Sequence, residues 1–279
     1  MLIVDAQVHI WSSGTPSGQH RQTSSFSAEE CLLEMDAAGV DAVVLHPPGW
    51  DANGVDVAVA AAAKYPNRFA ILGHFPLDKP ENRSLIDGWK GRPGMLGLRY
   101  AFTQPHQQNW MTDGTMDWLW PACEKAGIPV ALMASNYLPQ VAQIAERHPG
   151  LRLLLDHYAR VRDASDDAAH GNQKALLALA KYKNVAVKAT GAAGNSSEPY
   201  PYRTSTNTPN RSSTRSARSA PSGAPTSPAC RARGGNASRC LRTRCRFSKE
   251  ATSNWSWAAR CATGSAGNCR SEASEGRAE

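Results

Sequence analysis

Few residues in this chain have the chemistry to act on a substrate, and they lie far apart: Gln7 and His9, His46, His74, Arg99, Asp156 with His157, and Lys188. Gln7 and His9 are two apart, so an extended strand turns both to the same side. A His-x-His pair in that position can hold one metal ion. The histidines can take or give a proton near neutral pH. Arg99 can clamp a carboxylate with parallel N–H bonds, or brace a carboxylate of the protein itself. His46, His74 and Lys188 read as pocket-lining groups. Trp11, Trp50 and Trp110 read either as apolar pocket walls or as core. His20, His106, His148 and His170 fall in loops or helices and read as solvated.

These residues need elements to bring them together, and through residue 203 short apolar runs alternate with longer amphipathic ones. That alternation marks repeated βα units around a parallel sheet. Strands are expected at Leu2 to His9, Asp41 to His46, Phe69 to Phe75, Met95 to Tyr100, Ile128 to Met133, Leu151 to His157 and Asn184 to Lys188. Helices are expected over the stretch after Ser27, with Glu30 completing a capping box and Gly39 at the C-cap, then Val55 to Lys64, Glu81 to Trp89, Gly114 to Ala126, Pro139 to Arg147 and Gln173 to Lys181. No Gly-rich phosphate loop follows the first strand, which favours an α/β barrel of the (β/α)8 TIM type over a dinucleotide-binding sheet. All the candidate residues then fall at C-terminal strand ends, where such barrels keep their catalytic groups. The expected strands number seven, and the eighth is missing.

The runs DAQVHIW, AEECLLEMDAAGVDAVVLHPPGWD, NRFAILGHF, PGMLGLRY, AGIPVALM, IAERHPGLRLLLDH and NVAVKATG resemble, in order, the amidohydrolase-related metal-dependent hydrolases. That branch of the amidohydrolase superfamily includes lactone hydrolases and related nonoxidative decarboxylases. The resemblance spans about residues 1 to 203. It implies a distorted (β/α)8 barrel and, in many members, one divalent metal; some lactonases need none. Carried over residue by residue, the metal set is Gln7, His9 and His157, with an aspartate expected at the end of the last strand. Arg99, His157, Lys188, His46 and His74 are the catalytic candidates. A divalent metal, zinc or manganese, would bind weakly or not at all with Gln7 in place of histidine.

Composition divides the chain at the same place. The 279 residues are 41% apolar and carry a net charge of +7, but from Thr204 onward there is no Val, Ile or Met. That stretch holds twelve Arg and one Lys against four Glu. It has too little apolar surface to offset its ordering entropy and reads as a basic, disordered tail over 204–279. Family members continue past EPYPYR into an eighth strand reading roughly FWGTD and a terminal helix. Shifting the reading frame across Ser222 to Thr226 permits WGTD, and from Asn254 to Cys269 the same frame permits LVLGRALCDWLGWKL. Two segments in one frame point to a one-base frameshift just after Arg203.

The basicity lies wholly in that tail, so it argues little for nucleic acid as a partner. Seven cysteines without a CxxC pair fit neither a disulfide framework nor a zinc knuckle. The N-terminus lacks a signal peptide's pattern and no stretch is long enough to span a membrane, so a cytoplasmic location is expected. The expected function is hydrolysis of a small carboxylated lactone or related cyclic ester, impaired by the altered tail. The alternatives are a nonoxidative decarboxylase on the same barrel and a non-catalytic fragment. The expected partner is a small-molecule substrate, with homo-oligomer formation left open.

Overall fold

In the computed structural model, residues 2–18, 20–191 and 196–197 are described. The expected tail over 204–279, its shifted-frame segments and any eighth strand lie outside them. Seven parallel strands form one sheet in strictly sequential order: β1 (Val4–Val8), β2 (Ala42–Leu45), β3 (Phe69–Gly73), β4 (Met95–Tyr100), β5 (Val130–Leu132), β6 (Leu153–Leu155) and β7 (Val185–Val187). Sequential order is barrel winding; a doubly wound sheet would reverse at a switch point. Among the described residues the barrel is therefore incomplete, as the sequence predicts.

The helices between the strands are α1 (Ala28–Ala38), α2 (Gly54–Lys64), α3 (Leu85–Gly88), α4 (Leu119–Ala126), α5 (Leu138–Arg147), α6 (Asp166–Ala169) and α7 (Gln173–Ala178). Helix α1 begins as expected: Ser27 accepts from the Glu30 backbone N–H while the Glu30 carboxylate accepts from that of Ser27. It ends where Gly39 turns left-handed at φ 69°, a conformation a side chain would oppose. Three expected helices shorten; that from Gln173 stops at Ala178 and gives way to a 3-10 turn over Leu179–Lys181. The stretch expected from Gly114 becomes helical only at Leu119, because Gly114 sits at φ 88° and the Asp113 carboxylate binds the Thr115 N–H in a local turn. The stretch from Glu81 to Trp89 breaks into a 3-10 turn at Pro80–Ser84, the single turn of α3, and a second 3-10 turn at Trp89–Gly91. Gly88 and Gly91 resist a longer helix there.

Period-two alternation sorts the strand residues into two faces. One face carries Leu45, Ile71, Leu98, Leu132, Leu153 and Leu155, all fully buried in the main core. Each contributes about 1.5–3 kcal/mol over leaving it exposed. The other face begins with a small apolar layer of Val44, Leu72, Ala131, Leu154 and Ala186. Two residues further along the same strands stand His46, His74, Met133, Asp156 and Lys188. The apolar layer thus forms a floor, and the polar residues line up above it.

Candidate active site

Asp156 is the hinge of the site. It follows β6, is 1% exposed, and its Oδ2 accepts from Arg99 Nε at 2.7 Å. Its Oδ1 lies 2.7 Å from Lys188 Nζ, an ion pair set off the ideal hydrogen-bond angle. Burial alone would raise the Asp156 carboxyl; Lys188 and Arg99 outweigh it and hold the group well below the usual carboxylate range. Arg99, from β4, spends Nε on Asp156, which leaves the Nη edge of the guanidinium to meet a second carboxylate.

Lys188, just past β7, reaches across the sheet. Its Nζ is 3.0 Å from Gln7 Oε1 and 3.1 Å from His46 Nε2, and the residue is 2% exposed. Burial pulls the amine down to about 8, against the opposing pull of Asp156. Contact from β7 to residues of β1 and β2 requires the sheet to curl, so the last and first strands approach each other.

His9 is oriented from behind. Its Nδ1 lies 2.6 Å from the His46 carbonyl oxygen, which can only accept, so Nδ1 carries the proton and Nε2 bears the lone pair. Gln7 Nε2 lies 3.4 Å from that Nε2. His46 Nε2 is also 3.0 Å from the Ala6 carbonyl. It can donate to Ala6 or accept from Lys188, but not both, and His46 Nδ1 is buried without a partner among the described residues.

His157 sits in an unusual turn. His157, Tyr158 and Ala159 take φ values of 52°, 56° and 48°, the left-handed region that costs a non-glycine residue about 1–2 kcal/mol. His157 Nδ1 pairs with Thr190 Oγ1 at 2.8 Å, and the Tyr158 N–H donates to the Lys188 carbonyl at 3.1 Å. Nε2 is then the ring nitrogen left to act.

Burial and the Arg99 charge together lower His9, His20, His46 and His74, and both act on His157 as well. His74 and His157 fall to about 4. With their values lowered in this way, the rings are neutral at pH 7.

The structure thus joins Gln7, His9, His46, Arg99, Asp156, His157 and Lys188 into one site, with His74 within reach of the Arg99 field. Sequence reasoning missed three participants. His20, expected in solvent, instead packs edge-on against the His9 ring at 5.0 Å and at a tilt against Trp50 at 4.7 Å, with Nδ1 on Ser17 Oγ at 2.7 Å. No pattern in its loop marks it. Asp5 extends the alternation of Gln7 and His9 inward by one step, and that spacing could have found it; burial raises its carboxyl to about 7. Thr190 lies two residues beyond Lys188. Among the tryptophans, Trp11 and Trp110 are core at 1% and 4% exposure, whereas Trp50 leans over His9.

The described residues do not fit a resident metal. Gln7 Oε1, the one atom of that side chain able to ligate, faces the Lys188 ammonium. Among the described residues no group of three or more His, Cys, Asp or Glu could hold an ion. No helix among them is long and apolar enough to cross a membrane.

Residues 4–218 match the family described as Amidohydrolase, a range that runs past Arg203. A solved amidohydrolase from Burkholderia multivorans with bound HEPES is 18% identical at a TM-score of 0.57, covering 71% of this chain and 72% of that one. A structure of an amidohydrolase from the same organism with bound zinc gives the same figures. A probable 2-pyrone-4,6-dicarboxylic acid hydrolase from Acinetobacter baumannii, with citric acid bound, is 16% identical at a TM-score of 0.56, covering 75% of this chain and 78% of that one. At these identities the likeness speaks for the fold. Among curated proteins none matches the chain significantly. The sequence match is a different kind of finding: it takes in every strand that carries a site residue, and by it this chain belongs to the amidohydrolase family.

Proposed function

We propose that this site hydrolyses a small lactone or related cyclic ester that carries carboxylate groups. The observation that carries the reading is Arg99, fixed through Nε by the buried Asp156, which in turn pairs with Lys188. The Nη edge of Arg99 receives a substrate carboxylate in a bidentate pair. A neutral ring keeps a lone pair for a proton, so His157 Nε2, whose Nδ1 is taken by Thr190, accepts one from water as it attacks the lactone carbonyl. The acyl C–O bond breaks, and the ring oxygen takes up a proton as it leaves as a hydroxyl. The solved relative named for a pyrone dicarboxylic acid, and holding citric acid, supports a polycarboxylate substrate.

We also read residues 204–279 as out of frame, so that the chain as it stands lacks the strand-eight aspartate and turns over slowly. Resequencing around the Arg203 codon tests the frame directly. The activity test compares this chain with a frame-restored chain on lactones of dicarboxylic acids in 18O-labelled water. The frame-restored chain is expected to be about a hundredfold faster, the scale of one acid-base group, and to place label in the ring-opened product. Release of CO2 without label would sink the hydrolase reading in favour of decarboxylation. Equal turnover by the two chains would sink the frameshift.

A further inference from the structure

Of the side chains assigned to a metal ion, Gln7 turns its amide oxygen to an ammonium instead. Lys188 Nζ has Asp156 Oδ1 at 2.7 Å, Gln7 Oε1 at 3.0 Å and His46 Nε2 at 3.1 Å, and all four residues are at most 2% exposed. We propose that the Lys188 ammonium is the resident cation of this site, holding Gln7 in place for His9 as a bound metal would, so that a divalent ion and Lys188 compete for one position.

Gln7 explains why the substitution suits an ammonium. Its amide can lie only one way between its two neighbours. With Oε1 toward Lys188, the amide accepts from the ammonium and turns Nε2–H toward the lone pair of His9 Nε2. Flipped, it would set N–H against ammonium and oxygen against a lone pair. The His9 lone pair is itself fixed, because His9 Nδ1–H is committed to the His46 carbonyl. A chain of oriented groups therefore runs from Asp156 through Lys188 and Gln7 to His9. An imidazole at position 7 could accept from Lys188 or donate to His9, but its two nitrogens diverge and could not do both as the amide does. The Ala6 carbonyl competes for His46 Nε2, so Gln7 Oε1 is the firm hydrogen-bond acceptor and Asp156 the ion-pair partner. Lys188 here is a positioning residue: it acts on His9 through Gln7.

The proposal concerns the same pocket as the proposed hydrolysis but is read without turnover, so either can fail alone. The full-length protein is treated with iodoacetamide to keep the thiols of Cys230, Cys240, Cys245, Cys261 and Cys269 from taking up zinc; Cys31 and Cys123 are buried. Zinc is then titrated calorimetrically into the wild-type chain and into Lys188→Met, Lys188→Gln and Lys188→Arg, each checked for folding by circular dichroism. The wild-type chain is expected to hold well under one tight zinc per chain. The two neutral variants should bind zinc about ten- to a hundredfold more tightly, the range seen when a metal's surroundings are altered, and the charged Lys188→Arg should not. One tight zinc per wild-type chain would overturn the proposal whether or not the variants fold. So would a folded neutral variant that binds zinc no better than wild type.

Discussion

Lys188 Nζ, just past the last described strand, lies 3.0 Å from Gln7 Oε1 on the first, across 181 residues of sequence. In the backbone ladders β1 pairs with β2 and β7 with β6. The two terminal strands of the described sheet are therefore linked through side chains at the level of the site. A polar contact buried at such a junction ties the two ends of the described sheet together.

That contact gives the first prediction. Replacing Gln7 by Leu removes the acceptor but leaves the buried ammonium, and an unsatisfied charged group costs more than the bond it loses. Gln7→Leu should destabilise the fold by about 2–3 kcal/mol in urea denaturation. A change under about 0.5 kcal/mol, the range of an ordinary surface substitution, would mean that Lys188 finds another partner and that the β1–β7 link is incidental.

Burial lowers these histidines most and the Arg99 charge adds to it, so removing that charge should raise them part of the way. In Arg99→Gln, NMR titration of the imidazole protons should show His74 and His157 moving up from about 4 toward the usual histidine value. Asp156 would keep Lys188 as its counterion. In a frame-restored chain the same substitution should raise KM for an anionic lactone by about tenfold or more, the value of one charged hydrogen bond. Unmoved histidines would place Arg99 at the rim.

Asp5 predicts a stability change of definite sign. Its carboxyl is raised from 3.8 to about 7, chiefly by burial, so the folded protein holds a proton there that the unfolded chain has lost. Its contribution is fully present below pH 3.8 and fades as pH rises through about 7. Asp5→Asn keeps the neutral form at every pH and can still accept the Gln7 N–H bond. At pH 8 the variant should be more stable than wild type by about 1–2 kcal/mol, discounted because Asp5 keeps partial contact with solvent, and equal to it near pH 4. Thermal melts at the two pH values check this; a variant less stable at pH 8 would show that ionised Asp5 serves Lys188.

How legible this was from sequence depends on the range of the interaction. Strand cores and helix caps are local matters of alternation and spacing, so β4 falls at its expected bounds and α1 starts at its expected cap. Each strand-end residue was readable too, since two-residue alternation places His46 above Val44 and Lys188 above Ala186. What pairs with what was not. The bond from Lys188 to Gln7 is made by the curl of the sheet and that from Arg99 to Asp156 reaches across an intervening strand, and nothing near either residue encodes its partner. His20 was missed for the same reason, because a loop histidine looks solvated until Trp50 and His9 pack against it. The length of α4 was lost to a glycine turn whose left-handed backbone competes with the apolar spacing around it.

The last prediction separates what His157 does for the fold from what it does for the chemistry. Its ring is lowered to about 4, chiefly by burial, against a usual value of 6.5. The unfolded chain therefore binds a proton before the folded one does. The stability tied to this ring is complete above about pH 6.5 and is lost as pH falls toward about 4. Its backbone, at φ 52°, also suits glycine better than any β-carbon residue. His157→Gly should thus fold with a stability within about 1 kcal/mol of wild type at pH 7.5, relief of strain offsetting lost packing. Between pH 7.5 and 4.5 it should lose less stability than wild type by about 1–2 kcal/mol. His74 and Asp5 titrate in the same window, but they are common to both proteins and cancel in the difference. In a frame-restored chain the substitution should slow lactone hydrolysis by about a hundredfold or more, even though the fold stands. Thermal melts at the two pH values, set beside turnover, give both readings. A variant that melts like wild type at pH 4.5 and keeps full activity would move His157 out of the site altogether.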